Sequence, residues 1–275
     1  MEISVVIPTY RPQEFLWECL NSLRCQTFDH SQFEIVLVLN GCCEPWKSAI
    51  ESYISMNMSD MNVKFIQTDV SGVSNARNIA LDNVDGKYIT FIDDDDYVSS
   101  QYLEGLYAKV SRDTIAIAYP FAFQDKTNKQ IEYHITKTYE KYFGLGKHNY
   151  LKARKIFSGV WMKLIHKDVI GHSRFDTNFR NGEDMLFMFL ISKNFKNVAY
   201  TTKNAVYYRR FRDGSSINNG MTYRDNFINN YKQIMLYSKY YLCHPLSYSF
   251  IFYLLRVLGA IRSILIFRER QVRFF

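Results

Sequence analysis

Apolar runs alternate with amphipathic stretches over the first hundred residues of the chain. Four of the runs have the length and β-branched composition of buried strands, and they cover residues 3–8, 34–39, 63–67 and 87–92. Between the runs, apolar residues recur at helical spacing, which predicts helices over residues 12–23, 46–56 and 75–83. Strands that alternate with helices are typical of βαβ units, so the pattern predicts a mostly parallel sheet.

The pattern changes after residue 114. Two further runs predict strands over residues 115–123 and 131–136, whereas the polar and aromatic segment 137–155 fits no regular element. Residues 182–192 predict a helix that begins with acidic side chains, and residues 205–209 predict another strand.

The chain is predicted to be helical from residue 223 to its end. We therefore predict an α/β domain over residues 1–220, with one half at 1–100 and the other at 101–220. A C-terminal helical region is expected over residues 221–275.

Three loops follow the carboxyl ends of the predicted strands, at residues 9–12, 40–44 and 93–96. In open parallel sheets, ligands bind in the crevice outside these strand ends. We therefore expect the three loops to converge on one crevice.

Composition narrows the classes of function. An apolar share of 47% with 22% charged residues is typical of a globular protein. The net charge of +7 suits an anionic membrane surface or phosphorylated substrates, and no nucleic-acid-binding motif accompanies it, so we expect no nucleic-acid partner. The five scattered cysteines lack the spacing of a disulfide framework or a zinc site. No secretory leader pattern opens the sequence, so the cytoplasm is the expected compartment.

Four consecutive aspartates, 93–96, end the fourth predicted strand. Adjacent carboxylates repel each other unless a cation or hydrogen-bond donors offset their charge. Mg²⁺ and Mn²⁺ prefer oxygen ligands, and Mg²⁺ commonly shares them with water and substrate phosphates. The run therefore predicts a divalent-metal site that faces a diphosphate. The alternative is an acidic turn that caps a helix near Ser100.

Three segments, in this order, resemble family 2 of the glycosyltransferases, which are inverting enzymes of the GT-A fold. VVIPTY at 5–10 resembles the first strand of the family, GVSNARN at 72–78 resembles its G-x-S-x-A-R-N segment, and YITFIDDDD at 88–96 resembles the segment with the DxD motif. The resemblance implies a Rossmann-like, mixed and mostly parallel sheet with flanking helices, here with a C-terminal helical extension. It also implies a nucleotide-sugar donor and Mn²⁺ or Mg²⁺ as the cofactor.

The resemblance assigns roles around the donor. Asp95 is the main metal ligand, with Asp93 assisting, and Arg77 approaches the base or the phosphates. The donor-site residues that it implies are Pro8, Thr9, Tyr10, Asn40, Arg77, Asp93, Asp94 and Arg212. From its position alone, Arg77 is a residue on the surface of a helix.

The chain departs from the family at the end of the second strand. The family often has Asp-Asp-Gly-Ser there, with an acid that accepts the N3–H of uracil, whereas this chain has LNGC at 39–42. The amide oxygen of Asn40 can accept the same hydrogen bond, so a UDP-sugar is the expected donor. An ordinary Asn-Gly turn is the alternative.

Inverting transfer needs a carboxylate that takes the proton of the acceptor hydroxyl. NGEDMLF at 181–187 matches the Glu-Asp segment of the family at a predicted helix start. The match implies that Asp184 is the base and that Glu183 supports it. From the residues alone, an acidic pair that caps the helix is the alternative.

Two later segments resemble the acceptor side of the family and its closing loop. FSGVWMKLI at 157–165 implies that Trp161 stacks on an acceptor sugar and that Lys163 meets a phosphate, although Trp161 also suits the core. YYRRFRDGSS at 207–216 resembles the loop whose arginines close over the donor diphosphate, and Arg212 falls near a position where histidine is common.

Residues 246–267 are strongly apolar but include Arg256 and Arg262, which are costly at the centre of a bilayer. Arg268, Arg270 and Arg273 follow. Two interpretations stay open. The segment lies on an anionic membrane as an amphipathic anchor, or it packs on the α/β domain or forms a homo-oligomer interface.

The sequence thus predicts a cytoplasmic glycosyltransferase that moves a hexosyl or N-acetylhexosaminyl group to a saccharide or polyprenyl-linked acceptor. The expected process is cell-surface polysaccharide synthesis, with peripheral contact to the inner membrane if the C-terminal anchor forms. A nucleotidyltransferase or sugar-phosphate pyrophosphorylase is one alternative, but it needs a glycine-rich loop where this chain has PTYRP at 8–12. A non-catalytic scaffold of the same fold is the other.

Overall fold

The computed structural model describes residues 1–146, 148–179, 181–212 and 222–272, without the side chains of 267–272. The described strands are β1 (Ile3–Thr9), β2 (Phe33–Asn40), β3 (Asn62–Thr68), β4 (Tyr88–Phe91), β5 (Tyr97–Val98), β6 (Thr114–Ile117), β7 (Tyr119–Gln124), β8 (His148–Asn149), β9 (Lys163–His166), β10 (Asn197–Tyr200) and β11 (Val206–Phe211). The described helices are α1 (Glu14–Arg24), α2 (Trp46–Asn57), α3 (Val73–Leu81), α4 (Tyr102–Tyr107), α5 (His134–Tyr142), α6 (Lys167–Ile170), α7 (Glu183–Ile191), α8 (Tyr223–Cys243) and α9 (Phe250–Val272).

Within these residues, a mixed sheet of eight strands has the order β3-β2-β1-β4-β9-β6-β10-β8. β1 pairs in parallel with β2 and β4, β2 with β3, and β6 with β10, whereas β9 runs antiparallel to both of its neighbours. β1 and β2 are buried at every position, as expected of parallel strands that are covered by helices on both faces. The predicted α/β fold class is confirmed.

A smaller sheet has the order β5-β11-β7. β11 pairs in parallel with β7 and antiparallel with β5, the strand that follows the aspartate run. This pairing brings the end of β11 beside the aspartates, although the two segments are more than a hundred residues apart in the chain.

The strand predicted over residues 131–136 is wrong, because helix α5 begins at His134. Ile135 and Tyr139 are buried on one face of this helix, and the Thr136 hydroxyl donates to the Pro120 carbonyl at 2.7 Å. Ile135 and Tyr139 are four residues apart, which is the spacing of one helix face. The six residues 131–136 are too few to show this spacing.

The single strand predicted over residues 115–123 is two strands in the structure. The chain leaves the large sheet at Ala118, whose N–H donates to the Met162 carbonyl at 2.9 Å, and it joins the small sheet at Tyr119. β9 and β10 were not predicted. Each has only four residues, too few for an alternating pattern to be recognised.

Stacked aromatic rings connect the central sheet to α7. The rings of Phe175 and Phe187 lie 4.0 Å apart and almost parallel, and Phe91 at the end of β4 meets both edge-on. The aspartate run follows β4, and α7 begins with Glu183 and Asp184. The aromatic cluster therefore holds two acidic segments at a fixed separation.

The C-terminal helices share the core of the α/β domain. Phe189 of α7 is fully buried, and its ring contacts Tyr237 of α8, Tyr248 of the connecting turn and Phe252 of α9 at centroid distances of 5.0, 4.9 and 5.9 Å. Both helices also present apolar side chains to solvent, among them Tyr231, Met235, Ile251, Leu254, Leu258, Ile261 and Leu265.

In the part of the chain that the structure describes, no helix has the length and apolarity needed to cross a membrane. The side chains of Arg268 and Arg270, and all of Arg273, lie outside the described residues. The membrane-contact and oligomerisation interpretations of this region stay predictions.

Replacement of Phe189, whose ring joins α7 to α8 and α9, tests whether these two helices unfold together with the α/β domain. We expect Phe189→Ala to lower the free energy of unfolding by about 3–5 kcal/mol, because it removes a buried ring and leaves a cavity. Phe227→Ala, on an exposed side chain of α8, should change it by no more than about 0.5 kcal/mol. Urea denaturation measures both, and a separate early transition of α8 and α9 in the wild type would contradict the shared core.

Candidate active site

A cleft of about 560 Å³ lies at the carboxyl ends of the central strands. Its walls come from the end of β1, from α3, from the aspartate run, from residues before β9, from the start of α7 and from the end of β11. The lining residues that carry charge or aromatic rings are Arg77, Asp93, Asp94, Asp95, Asp96, Tyr133, Trp161, Glu183, Asp184, Arg209, Arg210, Phe211 and Arg212.

The three loops that were predicted to converge are joined by hydrogen bonds. The Asn40 side-chain amide donates to the Thr9 carbonyl at 2.7 Å, and its oxygen accepts from the Gly72 N–H at 2.8 Å. The Thr9 hydroxyl donates to Asp94 Oδ2 at 2.5 Å. The ends of β1, β2 and β4 therefore meet at one place.

Asn40 lies outside the cleft, and its predicted role of reading uracil gains no support from this position. Its side chain is 3% exposed, it does not line the cleft, and its amide oxygen already accepts from Gly72. Gly41 follows with a φ of +65° and donates its N–H to the Thr68 carbonyl. The alternative interpretation, a turn that ends β2, fits these contacts.

Arg77 lies at the centre of the cleft floor. Its guanidinium donates to Asp184 Oδ1 at 2.7 Å and to Asp93 Oδ1 at 2.9 Å, and it lies 3.8 Å from Glu183. Burial lowers the pKa of Arg77, but the three carboxylates outweigh burial and raise it above its ordinary value. The interpretation of Arg77 as a surface residue is wrong, because the side chain is buried.

Glu183 and Asp184 occupy the first turn of α7, which begins after Gly182 at a φ of +93°. Burial raises the pKa of Glu183 to about 7, and Asp184 adds to the shift. Burial also raises the pKa of Asp184, although Arg77 opposes the rise. Glu183 Oε2 is buried and has no hydrogen-bond partner within the described residues. The pair thus combines one carboxylate fixed by Arg77 with one that holds a proton near neutral pH.

The four aspartates have different surroundings. Asp96 is buried, where it accepts from the Tyr207 hydroxyl and the Arg210 N–H, both at 2.7 Å. Burial raises the pKa of Asp94 to about 7, with the hydrogen bond from Thr9 opposing the rise. All four line the cleft, but the side chains of Asp93 and Asp95 are 28% and 24% exposed, whereas Asp96 is 3% exposed. Asp96 therefore anchors the run, and Asp93 and Asp95 are more accessible from the cavity than Asp96.

The donor set suits a hard divalent cation. Arg77 engages Oδ1 of Asp93, and Arg212 engages Oδ2 of Asp95 at 3.1 Å, so each carboxylate keeps its other oxygen for a ligand. No cluster of three or more acidic, His or Cys ligands occurs in the described part of the chain. Mg²⁺ sites that use one or two carboxylates plus substrate phosphates do not need such a cluster.

Aromatic rings form the wall opposite the aspartates. Trp161 is almost fully buried and lines the cleft. It stacks on Tyr133 at 6.2 Å and contacts Tyr207 at 5.1 Å, and the Arg209 guanidinium lies 4.6 Å from its ring centre. This burial fits the interpretation of Trp161 as a core residue, and its contact with an acceptor sugar stays a prediction.

Lys163 does not reach the cleft, and its predicted contact with an acceptor phosphate is not available in this structure. Its side chain is fully buried, and its ammonium group donates to the carbonyls of Gly159 and Trp161 at 2.9 and 3.1 Å. Burial lowers the pKa of Lys163 to about 7. Through these two hydrogen bonds, Lys163 holds the backbone of residues 159–161, which forms part of the cleft wall.

Neighbouring arginines of β11 have different partners, although both line the cleft. Arg210 pairs with Asp125 and Glu18. Arg209 lines the cleft and lies over Trp161, Tyr133 and Phe211, with no salt bridge to the described residues. Of the arginines in the 207–216 segment, only Arg212 was predicted individually as a donor residue, although the alternation of Tyr207, Arg209 and Phe211 in the sequence is a signal that identifies Arg209.

Of the predicted donor residues at the end of β1, Thr9 is buried and lines neither cavity, and the other two line different ones. Pro8 lines the main cleft, whereas Tyr10 lines a smaller adjoining pocket of about 160 Å³ that shares Asp94, Asp95 and Arg212. Tyr10 is 48% exposed, and the Arg11 guanidinium lies 5.2 Å from its ring centre. Asp213 to Ser216 of the closing-loop motif lie outside the described residues.

Comparison of the sequence with known families gives one family for this chain. The profile described as "Glycosyl transferase family 2" matches residues 4–173. Glycosyltransferase GlyA of Streptococcus pneumoniae serotype 4 is 29% identical over 228 residues, which are 78% of this chain and 31% of GlyA. The poly(ribitol-phosphate) β-N-acetylglucosaminyltransferase TarS of Staphylococcus aureus strain MW2 is 24% identical over 232 residues, which are 82% of this chain and 39% of TarS. The chain thus spans about a third of the length of these relatives.

Solved structures share the fold. The crystal structure of S. aureus TarS 1-349 in complex with UDP-GlcNAc has a TM-score of 0.68 at 21% identity and covers 85% of this chain and 67% of its own. The mannosyltransferase PcManGT from Pyrobaculum calidifontis, in complex with GDP-Man and Mn²⁺, has a TM-score of 0.60 at 12% identity and covers 99% and 75%. These likenesses confirm the predicted GT-A fold. Since the profile spans more than half of the sequence, the chain belongs to family 2 of the glycosyltransferases.

Proposed function

We propose that this chain is a metal-dependent inverting glycosyltransferase. In this proposal it moves a hexosyl or N-acetylhexosaminyl group from a UDP-sugar to a saccharide or polyprenyl-linked acceptor during cell-surface polysaccharide synthesis in the cytoplasm. The observation that carries the proposal is the bridge by Arg77 between Asp93 of the DxD segment and Asp184. Membership of the family favours this function over a nucleotidyltransferase or a non-catalytic scaffold.

The donor occupies the side of the cleft formed by Pro8, the aspartate run and the pocket beside Tyr10. A uridine nucleotide is supported by TarS, which was crystallised with UDP-GlcNAc. Because the Asn40 oxygen is already engaged, the chain recognises uracil through groups other than this side chain.

Asp93 and Asp95 would hold Mn²⁺ or Mg²⁺. The bound ion supplies charge neutralisation for the departing diphosphate. Arg209 faces the same cleft without a carboxylate partner among the described residues, so its N–H groups are available to phosphate oxygens. Arg212, which is paired with Asp95, lies where it can exchange that carboxylate for a phosphate.

Asp184 accepts the proton of the acceptor hydroxyl while that oxygen forms its bond to the anomeric carbon. The bond between this carbon and the diphosphate breaks on the opposite face, which inverts the configuration. Arg77 fixes the direction of the Asp184 carboxylate through its contact with Oδ1 at 2.7 Å. Glu183 supports the pair from the same turn of α7.

Removal of the base should separate chemistry from donor binding. We expect Asp184→Asn to lower kcat by about 10²- to 10⁴-fold, the usual contribution of a general base, and to leave the Kd for UDP almost unchanged. Asn keeps an oxygen that can accept from Arg77, so the fold should persist. Turnover and calorimetric titration check both values, with Asp60→Asn on the surface as the control. Full turnover of Asp184→Asn would refute the assignment.

Nucleotide binding should require the metal. At a UDP concentration about 100 times its Kd, binding should stabilise the fold by about 2.7 kcal/mol, which a thermal-shift assay measures. We expect stabilisation with Mn²⁺, its loss on addition of EDTA and its loss in Asp95→Ala, whereas Asp60→Ala should respond like the wild type. A UDP response that persists in EDTA would contradict the metal site.

Activity should fall on the acidic side of neutrality. The base works only when ionised, and burial raises the pKa of Asp184 above its ordinary value. Burial also raises the pKa of the neighbouring Glu183, to about 7. Activity is therefore present above the pKa of Asp184 and is lost as the pH falls through it, above the ordinary aspartate pKa of about 3.9. The pH profile of kcat/KM between pH 4.5 and about 9 tests this expectation. A profile that stays flat down to about pH 4.5 would contradict it.

A further inference from the structure

Helix α8 carries buried amide side chains on the face that packs against α7. Asn226, Asn230 and Gln233 are all less than a tenth exposed. Buried amides are stable only where they find hydrogen-bond partners, so their partners indicate what this face of the helix holds.

Two amides of α8 hold the residue before the α7 turn. The Asn229 amide donates to the Asn181 carbonyl at 2.6 Å, and the Gln233 amide donates to the same oxygen at 3.3 Å. Gln233 is 3% exposed. Within the described residues, both donors to this carbonyl come from α8, a helix that lies outside the segment matched by the family profile.

The absence of a side chain at Gly182 lets the backbone of this residue pack directly against Gln233. A Cβ atom at this position would lie 2.0 Å from Gln233 Nε2, and the φ of +93° is one that other residues rarely adopt. The Gly182 carbonyl then accepts from the Leu186 N–H at 3.1 Å, which forms the first turn of α7. The position of α8 therefore determines where that turn starts.

The same turn presents the Glu183 and Asp184 side chains to the cleft. Asp184 is held from one side by Arg77 at 2.7 Å, and its backbone is held from the other side through Asn181 and Gly182. A shift of α8 would rotate the carboxylate away from the cleft without a change in the aspartate run.

Helix α9 holds the aromatic wall in a similar way. The buried Arg256 guanidinium donates to the Phe157 carbonyl, next to Ser158 and Gly159, which line the cleft. The C-terminal helices thus contact the two segments that face the acceptor.

We propose that Asn229 and Gln233 of α8 are positioning residues for the base. This inference rests on the proposed function. Because both amides contact the loop before α7 and neither contacts the aspartate run, their loss should affect turnover rather than binding of the nucleotide.

Near-isosteric replacements test the hydrogen bonds apart from the packing. In Gln233→Glu and Asn229→Asp, a carboxylate oxygen replaces the N–H donor and repels the Asn181 carbonyl. We expect kcat to fall on the order of 10- to 100-fold in each, as for small displacements of a catalytic group. The KM for the donor and the Kd for UDP should change less than about twofold, since their ligands lie elsewhere.

Asn230→Ala is the matched control. It also removes a buried amide of α8, but among the described residues that amide donates to Asn226 alone. We expect Asn230→Ala to lower stability with kcat close to that of the wild type. An equal loss of kcat in Asn230→Ala, or an unchanged kcat in Gln233→Glu, would overturn the proposal.

Hydrogen exchange separates this proposal from the proposed function. The Leu186 N–H should exchange faster in Gln233→Glu than in the wild type and in Asn230→Ala, whatever reaction the enzyme catalyses. If the wild type transfers no sugar but this exchange pattern appears, the proposed function fails and the positioning by α8 stands. If sugar is transferred and exchange at residues 183–187 is equal in all variants, the positioning role fails.

Discussion

A buried guanidinium bridge holds the two halves of the site together. Arg77 of α3 donates to Asp93 after β4 and to Asp184 on α7. A helix of the first hundred residues therefore joins the aspartate run to the candidate base. A buried cation of this kind is stable only while its carboxylates surround it. The remaining features of the cleft, the aromatic stack under it and the amides of α8 beside it, keep those carboxylates in place.

The four aspartates of the run have two different roles. Asp96 is fixed by Tyr207 and the β11 backbone, and Asp94 is tied to Thr9. These two fasten the run to both neighbouring loops, which leaves Asp93 and Asp95 directed to the cavity. Four adjacent acids are tolerated because each has its own partner.

The first hundred residues were predictable because their strands are long, β-branched and separated by helices of regular spacing. The family segments at 88–96 and 181–187 also identified Asp93, Asp95, Glu183 and Asp184 as site residues. What the sequence could not reveal depends on distant contacts. Asn40 accepts a hydrogen bond from the Gly72 N–H and so faces inward. The Lys163 ammonium group donates to two backbone carbonyls and so stays buried. Neither contact can be predicted from the sequence around the residue. Helix α5 and strand β9 are short, and their secondary structure depends on contacts with strands of the two sheets, β7 for α5 and β4 and β6 for β9.

The reversed direction of β9 has a wider consequence. Because β9 runs antiparallel to β4, its beginning lies beside the end of β4, and the loop that precedes it enters the cleft from the side opposite the nucleotide loops. The segment around Trp161 and the loops after β1 and β2 therefore approach the cleft across opposite edges of β4, and a change in the length of one need not displace the other.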